Sequence, residues 1–265
     1  MRLAIGLSYN GQAYEGWQSQ VSGRTVQDRL EAALHQFSQT TITTHCAGRT
    51  DTGVHGLMQV VHFDTELTRD MHAWVRGTNS FLPHDIAIQW AREVPDSFHC
   101  RGSAIARRYV YVLLESAVRP SVDAGRVGWV YRPLSLAAMQ TAAEHLLGEH
   151  DFSSFRASSC QALTPVKTMA RIDIRRKSSS PDSAYWLFEF EANAFLHHMI
   201  RNLMGCFVKI GTLERPPQWM ADVLAARNRN AAAPTFSPDG LYFQGPVYEP
   251  CWGLPTQTPA YDGLP

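Results

Sequence analysis

The chain has 265 residues, of which 45% are hydrophobic and 18% are charged, and its 24 basic and 24 acidic residues give a formal net charge of zero. This composition is typical of a folded globular protein with one large domain or two small ones. No stretch approaches the about 18 consecutive apolar residues of a membrane span, and no signal peptide precedes the first strand-like segment, so neither a membrane nor a secreted location is expected.

The cysteines indicate the cellular location and the kinds of site that the chain can hold. Five scattered cysteines without a C-x-x-C pair argue against a disulfide framework and a zinc site, and they favour a reducing, cytoplasmic location.

Only three of the 24 basic residues are lysines. Arginine suits phosphate and base contacts, although the codon preference of a GC-rich genome explains this bias equally well. Zero net charge lowers the expectation of a nucleic-acid partner, but local clusters can still bind phosphate. These clusters are Arg107-Arg108, Arg171–Lys177 and Arg227–Arg229.

The first part of the chain predicts six elements in the order β-α-β-β-α-β, which is the split βαβ pattern of a ferredoxin-like unit. Alternating and β-branched segments predict the strands, and helical spacing of apolar residues predicts the helices, the first of which opens at Thr25 with Asp28 three residues later. The predicted elements are Leu3–Leu7, a helix from Thr25, Thr40–His45, Leu57–Asp64, Leu67–Asn79 and Asp85–Val94.

The second part roughly repeats this order, with insertions at Asp151–Thr164 and Ala231–Pro238. Its predicted elements are Ser103–Leu114, Leu136–Leu147, Val166–Arg176, Tyr185–Ala192, Phe195–Ile210, Pro217–Arg227 and Leu241–Val247. We therefore predict a mixed α+β fold of two ferredoxin-like halves, 1–102 and 103–254, with a cleft between their antiparallel sheets. Residues 255–265 are predicted to form a poorly ordered tail.

The segment Gly48–Gly56 contains the most informative carboxylate. Asp51 lies between Gly48 and Gly53, with Arg49 two positions before it and an apolar strand directly after. A carboxylate held in this way can act as a nucleophile or a base, and the arginine can keep it ionised. The alternative is an aspartate that caps backbone N–H groups in a turn, and for an isolated D-x-G sequence that alternative is favoured.

Longer motifs favour the catalytic interpretation of Asp51 over the capping one. The stretch Gly48-Arg49-Thr50-Asp51-x-Gly53-Val54-His55, followed by Gln59–Phe63, closely resembles the signature of the TruA-type tRNA pseudouridine synthases. Further stretches resemble this family in the same order, from about residue 3 to about residue 250. They are Tyr14–Gln18, Thr25–Gln27, Asn79–Ile86, Phe98–Tyr109, Leu147–Arg156 and Phe195–Asn202. Thr52 stands where the family usually has alanine, and Gly56 and Leu57 also depart from it.

The resemblance implies a function. Members of the family isomerise uridine to pseudouridine at positions 38, 39 and 40 of the tRNA anticodon stem-loop, without a metal or an organic cofactor. They act as homodimers whose subunits jointly hold one tRNA. Asp51 is then expected to be the nucleophile. Three attacks remain open: on C1′ of the ribose, on C6 of the base, or on a ribose proton.

The resemblance also implies roles around Asp51. Arg201 is expected to pair with Asp51, the alternative being an exposed helix arginine. The target uridine must be flipped out of its stack, and Arg49 is expected to fill the vacated place. Tyr109 is expected to stack on the uracil and to help at C5, the alternative being a core tyrosine.

Other residues are expected to hold the substrate. Leu241 is expected on the other face of the base, although core packing is the usual role of a leucine. We expect Arg24, Arg107 and Arg108 to bind the tRNA.

Rival interpretations are weaker. A Cys46 thiolate adding to C6 is disfavoured because buried cysteines are usually inert. His62, His197 and His198 have no zinc spacing, so we interpret them as packing or phosphate-contacting residues. A catalytically silent tRNA-binding module is the main alternative function. A hydrolase with a single carboxylate is disfavoured because such chemistry usually needs paired carboxylates, and the sequence shows no obvious second acid in a loop like that of Asp51.

Overall fold

A computed structural model describes residues 1–180 and 182–255. The predicted tail, apart from residue 255, lies outside these residues. The chain divides into two compact units, which we call unit 1 (Met1–Arg107 and the described residues from Tyr242 onward) and unit 2 (Arg108–Leu241). The sequence placed the boundary after residue 102 and assigned the last strand to the second half. The packing groups nearly all of that strand with unit 1, since Tyr242 and Phe243 pair in parallel with His55 and Gly56.

Unit 1 contains the element order that the sequence predicted. Its elements are β1 (Arg2–Tyr9), α1 (Val26–Ser38), β2 (His45–Cys46), β3 (His55–Asp64), α2 (Met71–Asn79) and β4 (Ile86–Val94). Strand β1 pairs antiparallel with β3 and β4, and β2 pairs antiparallel with β3. The last strand, β10 (Leu241–Tyr248), adds to β3 in parallel.

Helix α1 begins where the sequence predicts. Thr25 and Asp28 form a capping box, in which the Asp28 backbone N–H donates to Thr25 Oγ1 and the Thr25 N–H donates to the Asp28 carboxylate. These reciprocal bonds satisfy backbone donors that the first helical turn leaves unpaired. The buried face of α1 includes Val26, Leu30 and Leu34, which pack in the core of unit 1 against the sheet and Trp74.

Strand β2 is shorter than predicted. The sequence predicts a strand over Thr40–His45, but only His45–Cys46 pairs with β3. The physical reason is a competing hydrogen bond, because the Thr44 N–H donates to the Glu31 carboxylate at 2.8 Å and its hydroxyl donates to the same oxygen at 2.9 Å. Helix α2 also starts later than predicted, since the Asp70 carboxylate accepts the His72 N–H at 2.8 Å as its N-cap.

Unit 2 carries a largely antiparallel sheet with helices. The elements of the second part of the chain are β5 (Ala104–Ser116), β6 (Gly128–Val130), α3 (Leu136–Glu144), β7 (Gly148–Asp151), β8 (Val166–Ser180), β9 (Ser183–Ala192), α4 (Met199–Gly211) and α5 (Trp219–Ala226). Its strand order is β5-β9-β8-β7, with β6 parallel to β5. The sequence did not predict β6 or β7. Helix α4 begins four residues later than predicted, because His198 at its N-cap has a left-handed backbone with φ 61°.

The mixed α+β prediction is confirmed, with five α-helices and mostly antiparallel strand pairing across residues 1–180 and 182–255. The two ferredoxin-like halves and their cleft stay predictions. Among the described residues, no helix is both long and apolar enough to cross a bilayer.

Candidate active site

The segment between β2 and β3 holds Asp51 in a tight turn, and we call residues 48–54 the Asp51 loop. Gly53 has φ +80°, a backbone conformation that glycine adopts without penalty. The Val54 N–H donates to the Asp51 carbonyl at 3.1 Å and closes the turn. Within this loop Thr50 is buried, Asp51 is half-buried and Arg49 is exposed. A turn closed by a backbone hydrogen bond is therefore present at Asp51, and it fixes the backbone of the candidate nucleophile.

The segment after β1 clamps one side of the Asp51 loop. The Trp17 N–H donates to the Thr50 carbonyl at 3.0 Å, and the Gly53 N–H donates to the Tyr14 carbonyl at 3.4 Å. The Tyr9 hydroxyl lies 2.8 Å from Thr50 Oγ1. Burial raises the pKa of Tyr9 further above neutral pH, in line with a phenol that is enclosed beside Thr50. These bonds hold the backbone on both sides of Asp51.

Gly16 lies directly against the Asp51 loop. Its φ is +85°, and a Cβ atom there would lie 2.6 Å from the Thr50 carbonyl oxygen and 3.1 Å from the Asp51 carbonyl carbon. Only glycine allows this approach of two backbones. The sequence predicted no role for Gly16. The sequence feature that could have pointed to Gly16 is its position in the motif Tyr14–Gln18.

Gln59 on strand β3 supports the other end of the loop. This fully buried side chain donates from Nε2 to the Gly48 carbonyl and accepts the Gly48 N–H at Oε1, 3.3 Å away. A Cβ atom on Gly48 would lie 3.2 Å from the Phe243 ring. This support was not predicted from the sequence, because a glutamine in a strand is expected to be exposed unless its partner is known.

The departures from the family pattern have different surroundings. Thr52 is exposed, so its methyl and hydroxyl groups place no demand on packing. Gly56 is buried, and a Cβ atom there would lie 2.4 Å from the Tyr9 ring. Tyr9 is the residue whose hydroxyl lies against Thr50. Gly56 therefore leaves room for a tyrosine that supports the Asp51 loop.

Arg201 lies in unit 2, near the start of α4. Its side chain is half-buried, and its Nε donates to the Phe236 carbonyl at 2.9 Å, while the Phe236 N–H donates to the Arg201 carbonyl at 3.1 Å. This differs from the exposed helix arginine that the sequence left as the alternative. The backbone bond fixes one edge of the guanidinium plane.

Tyr109 and Leu241 are both buried, with 8% and 5% of their surfaces exposed. The Tyr109 ring contacts Phe195 edge-on, with centroids 5.1 Å apart and an interplanar angle of 78°. The core packing that the sequence allowed for each residue is therefore present. Their contacts with a uracil base stay predictions.

The arginines expected to bind tRNA already have protein partners. Arg24 pairs with Glu15, and Arg108 Nε donates to a Glu191 carboxylate oxygen at 2.6 Å. Arg107 donates to the Ala104 carbonyl at 3.0 Å. A phosphate would therefore share or replace these partners.

Cys46 is buried at the end of β2. Burial raises the pKa of its thiol, and Arg101 Nη2, 3.6 Å from Sγ, opposes this shift only in part. The neutral thiol is a poor nucleophile. This environment agrees with the interpretation that Cys46 does not attack the base.

His62, His99 and Cys100 form a cluster in unit 1 whose possible metal-binding atoms lie within 4.8 Å of one another. However, His62 Nδ1 accepts the Cys100 N–H at 3.3 Å, and His99 Nδ1 accepts the N–H groups of Arg101 and Gly102 at 3.2 and 3.1 Å. In the neutral rings these bonds place the remaining proton on Nε2. The arrangement supports the packing role expected for His62. That the chain binds no metal stays a prediction.

His62 predicts a pH dependence of stability. Burial, with the nearby charges of His99, Arg2 and His45, lowers the pKa of His62 to about 4. Between this value and the ordinary value of about 6.5, the unfolded chain binds a proton that the folded chain excludes, so stability falls as the pH decreases. The variant His62→Asn keeps an acceptor for the Cys100 N–H. We expect its melting temperature to decrease less between pH 7 and pH 5 than that of the wild type.

The exposed His72 provides the control for this measurement. His72→Asn is expected to show the wild-type fall in melting temperature between the two pH values. A fall in His62→Asn as large as in the wild type contradicts the assignment.

Comparison with known proteins identifies the family. A family described as tRNA pseudouridine synthase matches residues 7–101 and 142–249. The chain is 71% identical to tRNA pseudouridine synthase A of Polaromonas sp. (strain JS666) over 265 residues, with 100% of both chains covered. It is 67% identical to tRNA pseudouridine synthase A of Acidovorax ebreus over 274 residues, again with 100% of both covered. These matches confirm the resemblance and the enzyme class, an isomerase, and the chain belongs to the tRNA pseudouridine synthase family.

Proposed function

We propose that this enzyme isomerises uridine to pseudouridine at positions 38, 39 and 40 of the tRNA anticodon stem-loop, with Asp51 as the nucleophile. Pseudouridine synthesis in tRNA follows from the family, whereas the positions and the nucleophile are our proposal. The observation that supports it most is the Asp51 loop, in which the carboxylate-bearing residue is held from both sides by hydrogen bonds.

The reaction explains why a firmly held Asp51 loop is useful. The N1–C1′ bond breaks, the base rotates, and C5 joins C1′, so the reacting groups must keep their positions through several steps. Positioning of this kind can supply a large part of a rate enhancement. Trp17 and Val54 hold the carbonyls of Thr50 and Asp51 at 3.0 and 3.1 Å. The Asp51 backbone is therefore placed before the substrate arrives.

The proposal assigns the other residues as follows. Arg201 pairs with the Asp51 carboxylate and keeps it ionised. Arg49 occupies the place that the flipped uridine leaves, and its exposed side chain supports this role. Tyr109 and Leu241 contact the two faces of the base, and the Tyr109 hydroxyl assists at C5.

The remaining elements of the proposal rest on the resemblance. The enzyme works in the cytoplasm as a homodimer that holds one tRNA, and the reaction needs no metal or organic cofactor. We expect a solution mass of twice the 29.7 kDa chain, and a mass equal to a single chain would contradict the dimer. The alternative function, a catalytically silent tRNA-binding module, leaves the ordered surroundings of Asp51 without a purpose.

The position assignment predicts a modification pattern. Unmodified tRNA transcripts with uridine at 38, 39 or 40 are incubated with the purified full chain, and pseudouridines are then mapped along the transcript. We expect conversion at these positions and none in matched transcripts with cytidine there. Conversion only elsewhere contradicts the assigned positions. Binding without any conversion supports the silent module.

A further inference from the structure

A buried polar network adjoins Arg201 in unit 2. Asn202, which is fully buried, donates from Nδ2 to the Phe155 carbonyl at 2.8 Å. Its Oδ1 accepts the Thr235 hydroxyl at 2.7 Å and Arg229 Nη2 at 3.1 Å. Arg229 Nη2 also donates to Thr235 Oγ1 at 3.1 Å. The Asn202 oxygen therefore has two donors, and the Thr235 hydroxyl both donates and accepts.

This network holds the segment 232–236 against α4. A Cβ atom on Gly205 would lie 2.3 Å from the Pro234 carbonyl oxygen, so this segment passes close to the α4 backbone. The Ala233 N–H donates to the Cys206 sulfur at 3.4 Å. Thr235 bonds to Asn202 and Phe236 bonds to Arg201, so two consecutive residues of the segment are tied to two consecutive residues of the helix.

We propose that Thr235 and Asn202 are positioning residues for Arg201. The Thr235 hydroxyl sets the place of the adjacent Phe236 carbonyl, and that carbonyl accepts Arg201 Nε at 2.9 Å and orients the guanidinium plane. The orientation matters because an ion pair with a carboxylate depends on the direction of the planar guanidinium group. The inference rests on the role proposed above for Arg201, and it names the residues that orient the Arg201 side chain.

The chemistry of the network explains why one hydroxyl should matter. Without it, Asn202 Oδ1 keeps only Arg229 as a donor, and Arg229 loses an acceptor. Buried polar groups that lose a partner drive local rearrangement. Such rearrangement moves the Phe236 carbonyl, and a displacement of about 1 Å in a catalytic group can cost about a hundredfold in rate.

The test compares three changes at one position. Thr235→Val keeps the side-chain shape without the hydroxyl, Thr235→Ala removes both, and Thr235→Ser keeps the hydroxyl. We expect kcat for pseudouridine formation to fall about tenfold or more in the valine and alanine variants, with KM and the dissociation constant for tRNA within about twofold. We expect Thr235→Ser to restore kcat to within about twofold of the wild type.

Thr212→Val is the matched control. Thr212 follows α4 at its far end, and its hydroxyl donates to the Val208 carbonyl at 2.9 Å. The same chemical change there is expected to leave kcat unchanged. If Thr235→Val and Thr235→Ala both fail to fold, or if Thr235→Ser is as slow as they are, the positioning role is overturned.

A double-mutant cycle separates this inference from the proposed function. Arg201→Lys keeps the positive charge but lacks the Nε donor. If Thr235 acts through Arg201, adding Thr235→Val to Arg201→Lys lowers kcat by less than twofold, because coupled residues are not additive. Fully additive losses overturn the inference. A normal rate in Arg201→Ala instead contradicts the catalytic role proposed for Arg201.

Discussion

Asp51→Asn is expected to abolish pseudouridine formation while tRNA binding stays within about twofold of the wild type. Asparagine matches the shape of aspartate but lacks the charged oxygen that attacks, and removal of a nucleophile typically lowers kcat by about 10⁴-fold or more. The backbone bonds of the Asp51 loop do not involve the carboxylate, since they join Trp17 to Thr50, Val54 to Asp51 and Gly53 to Tyr14 through main-chain atoms. We expect these main-chain bonds to persist in the variant.

The measurement is release of tritium from tRNA labelled at C5 of uridine, together with a direct binding assay. Asp96→Asn is the matched control, because it makes the same change at an exposed position of unit 1. This control is expected to react at the wild-type rate. A rate in Asp51→Asn within tenfold of the wild type would falsify the nucleophile assignment. Loss of binding in parallel with activity would instead assign Asp51 to substrate binding.

Gly16→Ala is expected to disable the enzyme from outside the Asp51 loop. A Cβ atom at this position would lie 2.6 Å from the Thr50 oxygen, which is too close for two atoms that do not share a hydrogen bond. One of the two backbones must then move, and the Trp17–Thr50 bond at 3.0 Å lies beside the contact. Because a shift of about 1 Å in a catalytic group can cost about a hundredfold, we expect kcat to fall on that order.

Gly23→Ala separates this contact from backbone strain. Gly16 and Gly23 both have positive φ, +85° and +65°, so alanine is disfavoured at both by about 1–2 kcal/mol. A Cβ atom on Gly23, however, meets no atom of the described residues within 4 Å. We expect both variants to melt at lower temperature and only Gly16→Ala to lose activity. Equal activity losses in the two variants, or wild-type activity in Gly16→Ala, would show that the contact with Thr50 is unimportant.

The elements that the sequence predicted well depend on neighbours along the chain. The start of α1 follows from Thr25 and Asp28, which lie three residues apart and bond to each other. The prediction of β2 was less accurate, because Glu31 reaches Thr44 from helix α1 and takes its N–H away from strand pairing. The parallel pairing of β10 with β3 is likewise a contact between distant parts of the chain, and the two halves assigned from the sequence stay a prediction.

In the candidate site too, the sequence predicted what depends on neighbouring residues and did not predict contacts between distant ones. Asp51 and Arg49 were singled out from the nine consecutive residues Gly48–Gly56, and motifs elsewhere in the chain then favoured Asp51 as the nucleophile. The support of that loop was not found. The Tyr9 hydroxyl and Gln59 bond to residues 41 and 11 positions away. Nothing in a tyrosine or glutamine on a strand indicates such a partner before the strands are placed.

By itself, the sequence determined the family, the mixed α+β class and the candidate nucleophile, because motifs and hydrophobic periodicity are properties of neighbouring residues. Only the tertiary structure decided which side chains hold these residues in place. Gly16 meets the Thr50 carbonyl, and Thr235 meets Asn202 across 33 positions of the chain. A buried polar group is stable only with a partner of the right geometry, and folding determines which partner that is.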